Sequence, residues 1–66
     1  MIQLYRVEFV SLEDELSPEL ASLQGTPRTV LEVLTICRDY RVHAVLSDAA
    51  GTMRGKIDPD GGYSPT

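Results

Sequence analysis

Residues Thr26 to Tyr40, TPRTVLEVLTICRDY, constrain the fold of this chain more than any other stretch. Thr26 is suited to cap a helix and Pro27 to occupy its first position, where a missing N–H costs nothing. At about 100° per residue, Arg28, Glu32, Thr35 and Asp39 fall on one narrow polar stripe. Val30, Leu31, Val33, Leu34, Ile36, Cys37 and Tyr40 fill most of the remaining circumference, interrupted by Thr29 and Arg38. A surface helix usually shows an apolar arc of about 100°, and this one is apolar over roughly twice that. It is therefore expected to be covered on more than one side, by the rest of the chain or by a partner.

That cover is hard to supply from a single domain of 66 residues. A chain of this length buries only about 60% of the surface it exposes when unfolded. Small domains compensate with disulfides, a metal or oligomerisation. The single cysteine, Cys37, excludes an internal disulfide. The single histidine, His43, with no second thiol, leaves no ligand set for a structural zinc. Neither metal nor cofactor is expected. Self-association as a homodimer, or docking on a larger partner, remains.

The N-terminal MIQLYRVEFV lacks the basic leader, long apolar core and cleavage site of a signal peptide. No apolar run approaches the ~20 residues that span a bilayer. The expectation is a soluble cytoplasmic protein that makes no membrane contact and is a complete small open reading frame. Its one thiol is compatible with a reducing compartment.

Residues 2–10, IQLYRVEFV, read as a strand, rich in β-branched and aromatic residues and free of Gly and Pro. Alternation places Tyr5, Val7 and Phe9 on the face expected to meet the helix, and Leu4, Arg6 and Glu8 on the other. Ser17-Pro18-Glu19 then starts a short helix, with a cap, a proline at the first position and a carboxylate near the positive end of the dipole. Leu20 and Leu23 form its apolar side and Gly25 ends it. This helix is expected to cover the second side of the main one. Glu13, Asp14, Glu15 and Glu19 make this segment the acidic part of the molecule.

After Tyr40, RVHAVLSDAAGTMRGKID reads as a β-hairpin. Asp48 suits the first corner of a type I turn and Gly51 accepts positive φ. With Ser47 opposite Thr52, the inward pairs are Leu46 with Met53, Ala44 with Gly55 and Val42 with Ile57. The small Ala44–Gly55 pair would let a helix settle close to the sheet. The outward pairs are Arg41 with Asp58, His43 with Lys56 and Val45 with Arg54. A bulge in the loop would shift this register. Residues 59–66 read as a turn-rich C-terminal tail, leaving residues 1–58 as the domain. The predicted fold is α+β, in the order β-α-α-β-β: a small three-stranded antiparallel or mixed sheet with one main and one short helix packed on one face.

No residue pattern points to catalysis. Cys37 sits at the centre of the apolar arc, where a cysteine acts as a small hydrophobe. His43 has no nucleophile or carboxylate at recognisable spacing. Asp58-Pro59-Asp60-Gly61-Gly62 starts like a calcium loop but puts Gly at the third ligand position and lacks the closing Glu, so it reads as a turn. No phosphate loop or nucleophile elbow is present, and the chain is read as non-enzymatic.

The remaining constellation is a cationic sheet face of Arg6, Arg41, His43, Arg54 and Lys56. Tyr5 and Phe9 are predicted on the opposite face, so the aromatic platform of an RNA-binding sheet is missing. The excess of ten carboxylates over six Lys and Arg also disfavours a general nucleic-acid binder. The leading expectation is a small interaction protein, of the bacterial or phage accessory kind, that binds and modulates or inhibits another protein. Its expected contacts are the segment Glu13, Asp14, Glu15, Glu19 and the sheet face. A nucleic-acid-binding regulator using the cationic face, and a structural subunit of a larger complex, are the alternatives.

Overall fold

The computed structural model describes residues 2–11 and 16–66. Strand β1 (Tyr5–Val10) is followed by helix α1 (Pro18–Leu23), the two-residue strand β2 (Pro27–Arg28) and helix α2 (Val30–Tyr40). Strands β3 (His43–Ser47), β4 (Met53–Ile57) and β5 (Tyr63–Pro65) complete the chain. The strands form one antiparallel sheet in the order β2-β1-β3-β4-β5. The α+β class is as expected; the sheet has five strands where three were predicted.

Both extra strands come from segments assigned otherwise. Pro27 does not open the main helix, and Thr26 does not cap it. The cap is Thr29, whose Oγ1 accepts from Glu32 N at 3.3 Å while Glu32 Oε1 accepts from Thr29 N at 3.4 Å. This reciprocal capping box fixes the helix start three residues later than the Thr-Pro pair implies. It frees Pro27 and Arg28 to pair with Arg6 and Tyr5. Proline is tolerated there because β2 is an edge strand. At the other end, the expected tail turns at Asp58–Gly62 and then returns along β4 as β5.

The two hairpin loops share one construction. Asp48 N donates to Thr52 O and Gly51 N to Asp48 O; Asp58 N donates to Gly62 O and Gly61 N to Asp58 O. Gly51 and Gly61 sit at φ 86° and 89°, the left-handed position such three-residue loops require. Closing the first loop on Asp48–Thr52 moves the β3–β4 register one residue from the predicted one. A bulge beyond Ser47–Met53 moves it one more, so Leu46 faces Gly55 and Ala44 faces Ile57. Side chains alternate with period two, so two single shifts leave Ala44, Leu46, Gly55 and Ile57 all facing inward. Met53 instead pairs with Ser47 and is exposed.

The core lies between the sheet and the helices: Val7 and Phe9 from β1, Leu20 from α1, Val33 and Cys37 from α2, and Val42, Ala44, Leu46 and Ile57. The Val7–Phe9 face of β1 meets the helices as predicted. Ser17 caps α1, its Oγ accepting from Leu20 N. Helix α1 packs on β1, and α2 on β3 and β4. The helix layer covers α2 less fully than its apolar arc implies: Val33 and Cys37 are buried, but Leu31 is 76% exposed and Tyr40 43%. No helix among the described residues is long and apolar enough to cross a membrane.

Candidate interaction surface

The sheet face away from the helices carries no cover from the described chain. Across its middle run Glu8, Val45, Lys56 and Ser64, paired in that order on β1, β3, β4 and β5. A second row runs Pro27, Arg6, Ser47 and Met53. A third holds Val10 beside His43, whose Nδ1 lies 3.6 Å from Asp58 Oδ1. Val45 is half-buried between two charged side chains, while Val10 and Met53 add exposed apolar surface in the neighbouring rows.

This arrangement revises the cationic face. Arg6, His43 and Lys56 lie on it as predicted. Arg41 does not: it ends α2 in the left-handed conformation, φ 55° and ψ 51°, before β3 begins. Arg54 does not either. It falls in the bulge, and its Nε donates to Asp48 Oδ2 at 2.9 Å. There it lines a cleft with Tyr5 and Tyr63, which stand on the helix side of their strands. The shifted register sets Lys56, not Arg54, beside Val45, and brings His43 to Asp58. The alternation that puts Arg6 on the face puts Glu8 there too. With Glu8 and Asp58 against Arg6 and Lys56, the face is balanced in charge, not basic.

Of the acidic residues, Glu13, Asp14 and Glu15 lie outside the described residues, and Glu19 is exposed in the first turn of α1. Among the described residues, Arg6, Glu8 and Lys56 make no ion pair or side-chain hydrogen bond, so their charges are available to another molecule. Beside them, Arg6, Glu8 and Ser47 line a cleft of about 430 Å³ closed by Gln24 and Gly25.

The sheet edges are less available. Gln24 Oε1 accepts from Phe9 N at 2.7 Å and its Nε2 donates to Phe9 O at 3.0 Å. Gly25 N donates to Val7 O at 2.8 Å. Together with β2, these groups occupy the side of β1 turned away from β3. The strands at the two margins, β2 and β5, are two and three residues long and each contains a proline. Short, proline-bearing edges resist pairing with another chain. Strand addition at these margins is therefore disfavoured.

Other candidates for chemistry have structural explanations. Cys37 is fully buried, and burial pushes its thiol up to about 11, away from the thiolate form that reacts. Asp48 is held below the ordinary carboxyl range by the Thr52 N–H, and further by Arg54 and Ala50 N–H, as the anchor of the first loop. Among the described residues no group of three His, Cys, Asp or Glu is placed to hold a metal ion. Arg38 and Arg41 line an open cleft with Pro59 and Asp60 at the C-terminal end of α2, where cations also complement the helix dipole.

Comparison with protein-family models, curated proteins and solved structures finds no match to this chain.

Proposed function

We propose that this chain is a small non-enzymatic protein that works in the cytoplasm by binding and modulating another protein, and that the uncovered sheet face is a protein-contact surface. The observation that carries the reading is Val45. It stands at the centre of a five-stranded sheet, flanked by Glu8 and Lys56, which have no partners among the described residues, with exposed Val10 and Met53 one row away on either side. Antiparallel sheets tolerate one wet face, but such a face is usually polar in alternation with a buried one. Apolar groups at the centre with unpaired charges around them are the composition of a protein contact, where apolar burial supplies affinity and the charges set register. The balanced charge gives a phosphate backbone no preferential attraction.

The test is photo-crosslinking in lysate of the source organism, with a benzoylphenylalanine at position 45 and a control at the exposed Leu31 of α2. Crosslinks to protein from position 45 and none from position 31 support the reading. Crosslinks from position 31 alone, or to nucleic acid, contradict it.

A further inference from the structure

We infer that the occupant of the sheet face is a second copy of this chain, related by a two-fold axis that runs parallel to β3 through Val45. The inference rests on the reading of this face as a contact surface and adds its partner and geometry.

A two-fold contact requires a surface that complements itself. Glu8 and Lys56 lie on opposite sides of Val45 in one row, on the strands that flank β3. Rotation about an axis along β3 keeps each residue's height along the strands and exchanges the β1 side with the β4 side. Glu8 then meets the second copy's Lys56, and Lys56 meets its Glu8, so two ion pairs form around a Val45–Val45 centre. Arg6 falls opposite Met53, an apolar stem against which its own methylenes can lie. The other two-fold in the plane of the sheet runs across the strands. It sets Glu8 on Glu8 and Lys56 on Lys56, and both contacts repel. The charge pattern therefore favours the axis along β3 over the axis across the strands, and it packs the two sheets face to face with nearly aligned strands, the commoner way for sheets to stack. Edge-to-edge pairing is disfavoured by the Gln24 and Gly25 bonds on β1 and by the prolines of β2 and β5.

The size of the face sets the strength. The chain measures 32 × 22 × 18 Å along its principal axes. The broadest projection of the chain is thus about 700 Å², close to the ~800 Å² per partner of a standard interface. The dimer is expected to dissociate in the micromolar range, with salt weakening it further.

The experiment is solution mass by light scattering from about 10 μM to 1 mM, on the whole chain and on two exposed charge reversals, Glu8→Lys and Lys56→Glu. Wild type is expected to move from 7.3 kDa towards twice that mass. Each single variant sets like charges together and should weaken dimerisation by about 100-fold or more. Circular dichroism checks that both remain folded. Mixed in equal amounts, the two variants restore both ion pairs and should dimerise with each other. A wild type that stays at 7.3 kDa overturns the inference, as does a dimer indifferent to either reversal or a mixture that stays monomeric. A monomeric wild type that still crosslinks from position 45 to a different protein removes the second copy but keeps the face. Loss of those crosslinks as well removes the face.

Discussion

The ring of Tyr63 fills the space that a side chain at Gly55 would occupy. A Cβ on Gly55 would lie 2.7 Å from Tyr63 Cε1 and 3.3 Å from the Ser64 carbonyl oxygen. The missing side chain thus makes room for the last strand, not for a helix as the Ala44–Gly55 pair implied. Replacing a strand glycine by alanine ordinarily helps a sheet. Here Gly55→Ala should cost about 1–3 kcal/mol, as overpacking does. Urea unfolding measures the cost, and hydrogen exchange at the Thr66 amide, which donates to Arg54 O, reports release of β5. In a Tyr63→Ala background the same change should cost little, because the obstructing ring is gone.

The Gln24 side chain acts as a short piece of strand beside Phe9. Gln24→Leu removes both of its bonds and leaves the Phe9 N–H and C=O without partners at a sheltered edge. The expected loss is about 1–3 kcal/mol. The reopened edge should also raise the aggregation rate on concentration, since unpaired strand groups template further pairing. Unchanged stability with no added aggregation would show that the amide does not seal the edge.

Arg41 is the non-glycine residue at positive φ among those described. A left-handed C-cap normally carries glycine, and a side chain there costs about 1–2 kcal/mol. Arg41→Gly should stabilise the chain by about 1 kcal/mol, read from the urea midpoint at constant slope. A loss of stability would mean that the Arg41 side chain contributes more than its backbone costs.

Asp48 sets a pH dependence. Its folded-state pKa is lowered from 3.8, so the folded state binds the proton less readily than the unfolded chain. Its contribution to stability is complete above the unfolded value and is lost as pH falls through the lower folded one. A carboxyl titration by NMR should place Asp48 below 3.8. In Asp48→Asn, acid unfolding between those values should be shallower.

The elements with a clear period were readable from sequence: β1, α1, most of α2, β3 and β4. Strands of two and three residues have no period to read, so β2 and β5 were not. The available signals were chemical: the Thr29–Glu32 box for the true helix start, and Asp-x-x-Gly repeated ten residues apart for a second hairpin. In the candidate site, alternation placed Arg6, His43 and Lys56 correctly. Arg54 was lost to a bulge that composition does not announce, and Arg41 to a helix cap. Glu8 and Val45 became prominent only once the register set them in one row with Lys56.

Whether two copies of this chain meet through the open sheet face is read by methyl NMR with a soluble paramagnetic agent across a concentration series. The Val45 methyls are expected to become shielded as concentration rises while those of exposed Leu31 stay accessible. Shielding at Leu31 with Val45 unchanged, or no shielding at either residue, would contradict that contact.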